Sequence, residues 1–254
     1  MTAAYETEEV LNQYLDFHFG HDEPFGVANY PAACAQHCLE AMTDSPRERA
    51  LDLGCAVGRT SLELARACKA VDALDTSTAF INAACTLRDQ GQLDYSVVDE
   101  GNIRSERRAN LAELGLAGPA QGVNFEVGDA SRLPVPDEPY DLVFAGNLID
   151  RLANPADFLD RLPQQVRPGG WLVIASPYTL RHEYTAPEQW IGGYYSPDGE
   201  TITVRDGIRR RLEPAFEMAR DAIDQPFVIR ETRRKFQHTI AEITFWRRCG
   251  GGTS

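Results

Sequence analysis

Four residues in the segment ALDLGCAVGRTSLELA (Ala50 to Ala65) have the types and spacing of a cofactor turn: Asp52, Gly54, Ala56 and Gly58 alternate past a short apolar run. Gly54, Cys55 and Gly58 would bring bare backbone close beneath a ligand, because glycine adopts the tight conformations that other residues resist. Asp75 closes the next apolar run, AVDALD, about 20 residues further on, the spacing at which a carboxylate accepts both hydrogen bonds of a ribose diol. Thr76 and Ser77 follow it with N-cap chemistry. A third acid, Asp129, ends VNFEVGD and precedes Ala130. Taken singly, each has a plain structural explanation: a strand-to-helix connection, a helix cap, a turn residue.

The elements that would position these residues alternate in type. Leu51 and Leu53 suit a parallel strand buried on both faces. A second strand over Ala70 to Asp75 leads into a helix over Ala79 to Arg88, and Val123 to Asp129 makes a third strand. Tyr140 to Ala145 reads as a fourth strand opening into Gly146-Asn147-Leu148-Ile149-Asp150-Arg151, followed by a helix over Pro155 to Val166 and a fifth strand over Trp171 to Ala175. Two amphipathic helices, Glu6 to Phe19 and Tyr30 to Met42, precede the first strand. Between Leu93 and Ala120 the sequence predicts an insertion with a short β-prone piece, Tyr95 to Val98, and a charged helix, Ile103 to Leu114. The loop-rich stretch Ser176 to Val204 is aromatic and suits a substrate wall or a surface hairpin. Asp206 to Pro214 is expected to be a short helix, Phe216 to Arg220 the start of a sixth strand, and Gln237 to Trp246 an antiparallel edge strand. One domain over residues 1–248 is expected, with 1–45 as a helical cover and 46–248 as the core, and 249–254 as a flexible tail.

At 254 residues, 43% hydrophobic and 25% charged, the chain is long enough for one sizeable α/β core. The net charge of −13 argues against a nucleic-acid partner, since phosphate binding wants a basic stripe. No apolar run is long enough to span a bilayer and MTAAYETEEV lacks the features of a signal peptide, so a cytoplasmic protein with no membrane partner is expected. The six cysteines show neither a disulfide framework nor paired metal spacing, and no metal is expected.

The order of these parts resembles the class I S-adenosylmethionine methyltransferases. Asp52, Gly54, Ala56 and Gly58 match their D-x-G-x-G-x-G turn, with alanine in place of one glycine, whereas a dinucleotide fingerprint in the same register would need a glycine where Arg59 stands. The resemblance implies a Rossmann-like α/β fold, a seven-stranded mostly parallel sheet with helices on both faces and an N-terminal helical cover. It also implies S-adenosylmethionine as cofactor, with S-adenosylhomocysteine as its product. Asp52, Gly54, Cys55, Gly58, Asp75, Thr76 and Asn147 would then hold the cofactor, while Asp129 and the Ala130 amide would meet its adenine.

YETEEVLNQYLDFHFG (Tyr5 to Gly20), FGVANYPAACAQHC (Phe25 to Cys38) and FVIRETRRKFQHTIAEITFW (Phe227 to Trp246) look like one branch of that class, the ovothiol-biosynthesis methyltransferases. These methylate the imidazole π nitrogen of 5-thiohistidine, giving ovothiol A. The small-molecule partner implied is 5-thiohistidine, and the sulfoxide-synthase portion of fused members is not in this sequence. Asp150 is the favoured substrate contact and His182 a further candidate for proton transfer. Asn147 and Arg151 are placed at the polar end of the acceptor, and Tyr14, Phe17 and Tyr178 around its ring. Two alternatives stand beside this reading: methyl transfer to another small acceptor, and a cofactor-binding regulator without catalysis.

Overall fold

The computed structural model describes residues 5–250. Two helices, α1 (Glu8–Phe19) and α2 (Tyr30–Ala41), come first; Thr7 and Asn29 cap their N-termini through their side chains. Then follow β1 (Arg49–Leu53), α3 (Arg59–Leu64), β2 (Ala70–Asp75) and α4 (Thr78–Gln90). A hairpin of β3 (Gln92–Glu100) and β4 (Ile103–Asn110) precedes β5 (Val123–Val127), β6 (Tyr140–Gly146), α5 (Pro155–Gln165) and β7 (Val166–Ser176). The chain continues through the short pair β8 (Tyr194–Tyr195) and β9 (Thr201–Ile202), α6 (Val204–Leu212), β10 (Phe216–Thr232) and β11 (Lys235–Arg248).

The seven-stranded sheet runs β10-β11-β7-β6-β1-β2-β5. From β7 to β5 the strands are parallel, and β11 pairs antiparallel with both β7 and β10. Strand alternation feeds two cores, one per face: on β6, Leu142 and Phe144 join the side of α1 to α4, while Val143 and Ala145 join Phe158, Leu162 and Ile208 of α5 and α6. Both faces are covered, which explains why β1 and β6 are nearly continuous apolar runs. Strand order reverses between β1 and β6, and a crevice at the carboxyl ends of the strands follows from that topology.

Two expectations need correction. The charged stretch from Ile103 is strand β4, not a helix. Its arginines suit helical spacing, but Gly101, with φ of 57°, turns the chain back, and Arg108 meets Asp94 across the hairpin. Tyr95, Val97 and Ala109 then bury one face, which an exposed helix would not do. The segment from Gln237, expected at the sheet edge, is β11 and lies between β10 and β7, so the edge is β10, the long bulged strand that starts at Phe216. Residues 249 and 250 lie past β11, and the remainder of the expected tail is outside the described residues. Among the described residues no helix is long and apolar enough to cross a membrane.

Candidate active site

A cavity of about 480 Å³ opens at the carboxyl ends of β1, β2, β5 and β6, within the size range of small-molecule sites. Its floor is the turn after β1. Gly54 and Gly58 have φ of 74° and 88°, and a Cβ on Gly58 would come within 2.6 Å of the Phe125 ring, so only glycine fits there. Gly54 and Cys55 donate their amides to the Leu74 carbonyl at 2.8 and 3.0 Å, which ties the turn to the end of β2.

Ala56 occupies the left-handed region at φ 49°. What holds it there is Asp75: Oδ2 accepts the Ala56 amide at 3.0 Å and Oδ1 the Ser77 amide at 2.9 Å. The departure from glycine is thus accommodated by a charge-assisted hydrogen bond, and one methyl group is what the turn tolerates. In Ala56→Val, a β-branched residue at positive φ should cost roughly 1–2 kcal/mol of stability and narrow the cavity. We expect about tenfold weaker S-adenosylhomocysteine binding by calorimetry; wild-type affinity would show that the turn has room to spare.

Asp52 is 1% exposed and takes the Ser61 hydroxyl at 2.6 Å. Burial, with Asp75 nearby, pushes its carboxyl up to about 7. Burial also raises the Asp75 carboxyl, opposed by its backbone hydrogen bonds. At the end of β5, Asp129 takes both the amide and hydroxyl of Ser131, at 2.8 and 2.6 Å, and stands with Ala130 in the cavity wall.

The opposite wall comes from α1 and α2. Tyr14, Phe17 and His18 line it from α1, and Tyr30 from α2, its hydroxyl donating to Asn147 Oδ1 at 3.0 Å. The Tyr14 ring lies 4.7 Å from Phe80, and Phe17 stacks on Tyr30 at 6.0 Å. Asn147, at φ 51°, follows β6 and anchors to the Ala175 carbonyl at 2.8 Å. Arg151 lies 4.7 Å over the Tyr184 ring, and both line the cavity.

His18 and Arg59 escaped the sequence reading. The Arg59 amide donates to His18 Nδ1 at 3.3 Å, which leaves the ring proton on Nε2. Burial, and the Arg59 charge secondarily, lower the ring to about 3, so it is a neutral donor. Arg59 Nη1 also reaches the His18 carbonyl at 3.0 Å, at the end of α1. The residue that departs from the dinucleotide fingerprint therefore clamps α1 onto the turn.

Of the remaining site expectations, Gly54, Cys55, Thr76 and Arg151 line the cavity, and Gly58 supports the turn from behind. Asp150, Tyr178 and His182 stand outside the cavity wall. Asp150 turns inward from a short 3-10 turn to Arg151 at 3.0 Å and Thr179 at 2.5 Å. Tyr178 donates to Glu242 at 2.8 Å, and exposed His182 leans on Trp190 at 5.2 Å. Of the aromatic loop, Tyr184 is the member that reaches the cavity. Among the described residues no group of three or more His, Cys, Asp or Glu is placed to hold a metal ion.

A family model described as a methyltransferase domain matches residues 51–174. The chain is 29% identical over 191 residues to an uncharacterized protein of a Streptomyces fradiae transposon, covering 75% of this chain and 46% of that protein. It is 27% identical over 199 residues to ajmaline N-methyltransferase of Rauvolfia serpentina, covering 67% of this chain and 58% of that one. The chain spans about half the length of these curated relatives. Among solved structures, magnesium protoporphyrin IX methyltransferase from Synechocystis with bound S-adenosylmethionine aligns with a TM-score of 0.57 at 13% identity, over 96% of this chain and 94% of that one. N-methyltransferase NodS from Bradyrhizobium japonicum in complex with S-adenosylhomocysteine aligns with a TM-score of 0.52 at 15% identity, over 94% and 98% of the two chains. Residues 51–174 thus match a methyltransferase domain, and the chain around them has the Rossmann-like fold of these methyltransferase structures.

Proposed function

We propose that this protein transfers the methyl group of S-adenosylmethionine to the imidazole π nitrogen of 5-thiohistidine, giving ovothiol A. The observation that carries the acceptor is where its distinguishing segments lie. The three stretches that resemble the ovothiol branch fall outside the matched core, yet they supply Tyr5, Tyr14, Phe17, His18, Tyr30 and Ile229 to the cavity. A nitrogen acceptor also agrees with the names of two similar proteins, ajmaline N-methyltransferase and N-methyltransferase NodS.

The residues fit the donor: positive-φ glycines make a bare floor, and the Asp75 carboxylate stands beside it for a ribose diol. Bound there, the donor supplies an electrophilic methyl on a sulfonium. The chain's own part is to align a nitrogen lone pair opposite the departing sulfur and to exclude water, which the Tyr14, Phe17 and Tyr30 wall can do. His18, neutral and protonated at Nε2, would donate a hydrogen bond to a thiolate without competing for the nucleophile's proton.

Mass spectrometry of 5-thiohistidine incubated with donor and protein tests the proposal, with histidine as control acceptor. A single added methyl on thiohistidine, mapped by NMR to the π nitrogen and missing from histidine, is expected. No product, with S-adenosylhomocysteine still binding, would sink the acceptor and keep the donor.

A further inference from the structure

A second cavity, also of about 480 Å³, shares the Phe17 and Tyr30 rings with the first. Its walls come from α1, the loop after it, the β3–β4 hairpin and the β10–β11 hairpin. Its charges are mixed: Arg107, Arg230 and Arg233 against Asp16, Asp22 and Asp99.

The pairing among them is incomplete. Arg107 meets Asp22 at 2.8 Å and Asp16 at 3.5 Å. Arg230, its side chain 10% exposed, gives Nη2 to Asp99 Oδ1 at 2.6 Å, while Asp99 Oδ2 holds the Ser105 hydroxyl. Arg230 Nη1 is buried without a hydrogen-bond partner. An unmet guanidinium N–H is costly in a protein interior, and a carboxylate is the group that satisfies such a fork best. Asp16 supplies the opposite sign. Its protein partners, Tyr95 and Arg107, both meet Oδ1, which leaves Oδ2 for a further donor. Burial raises the Asp16 carboxyl, and an added cation would reverse that.

We propose that this cavity binds the zwitterionic end of an α-amino acid, with its carboxylate on Arg230 Nη1 and its ammonium on Asp16. Two sources share that chemistry: the amino-acid end of the methyl acceptor, its ring reaching past Phe17 and Tyr30, or a separate amino acid acting as effector. The inference stands on the cavity's own charges and does not need the acceptor proposed above.

Calorimetry of the full chain saturated with S-adenosylhomocysteine tests it, with L-histidine and histamine as probes; histamine is the same molecule without the carboxylate. Wild-type protein is expected to bind L-histidine at least tenfold more tightly than histamine, a comparison that needs no variant. Arg230→Met, checked for wild-type circular dichroism, should abolish that difference, and the exposed-rim change Arg233→Gln should weaken it about threefold. No L-histidine binding, equal binding of the two probes, or a preference that survives Arg230→Met in a folded protein would each overturn the site. An acceptor KM raised by Arg230→Met in step with the loss of L-histidine binding would identify the acceptor as the occupant; an unchanged KM would identify an effector. Absence of turnover on 5-thiohistidine leaves the calorimetric result fully readable, so the two proposals fail separately.

Discussion

Asp75→Asn should bind S-adenosylhomocysteine about 100-fold more weakly than wild type, roughly 3 kcal/mol, because one carboxylate both shapes the floor of the cavity and, in the function proposed above, would meet the ligand. Its two oxygens accept two backbone amides, Ala56 at 3.0 Å and Ser77 at 2.9 Å. An asparagine offers a single acceptor oxygen, so one of those amides would face an NH₂ group, donor against donor. If the lost bond is that of Ala56, the residue at φ 49° loses what holds it in the left-handed region and the turn relaxes. If it is that of Ser77, the cap of α4 shifts instead. Either way the charge that would meet a ribose diol is gone. Calorimetry on the folded variant measures this directly, and a loss below tenfold would mean that Asp75 acts on the turn alone.

What was legible in the sequence was what local spacing encodes. Asp52, Gly54, Gly58 and Asp75 lie within a single strand-turn-helix-strand unit, where few residues separate cause and effect, and their positions follow from alternation and turn chemistry. Asp129 was legible as the end of a strand, and its capping bond to the Ser131 amide is also local. The illegible parts depend on contacts distant in the chain. His18 owes its tautomer to an amide 41 residues away, and Tyr30 owes its place in the wall to Asn147, 117 residues away. The loop positions depend on distant contacts too. Asp150 sits at the expected strand end, but a short 3-10 turn points it toward Thr179, so Arg151, the next residue, faces the cavity. In the β3–β4 hairpin the turn signal is Gly101 alone, and the strand after it is fixed by pairing with β3 and not by its own charged residues.

The stability of Asp52→Asn should depend on pH differently from wild type, and by a large amount. The Asp52 carboxyl is raised from 3.8 to about 7 in the folded protein, chiefly by burial. Above its unfolded value the folded state holds a proton that the unfolded state has lost, so stability falls as pH rises until the folded group also ionises. The contribution of this residue is therefore fully present below about pH 4 and lost by about pH 7. His18 runs the other way: its lowered value makes the neutral ring stabilising above its unfolded value of 6.5, and that contribution is lost as pH falls toward about 3. The two oppose each other in the wild-type curve, which would hide both. The difference between wild type and Asp52→Asn removes His18, because it is common to the two proteins. An asparagine keeps an acceptor for the Ser61 hydroxyl at nearly the same volume, and it cannot ionise. From pH 5 to pH 8, urea unfolding should show the variant gaining on wild type by roughly 2–3 kcal/mol. Parallel pH profiles would mean that Asp52 is already ionised at pH 5 and that water or the Ser61 hydroxyl solvates its charge where the fold shows a nearly dry site.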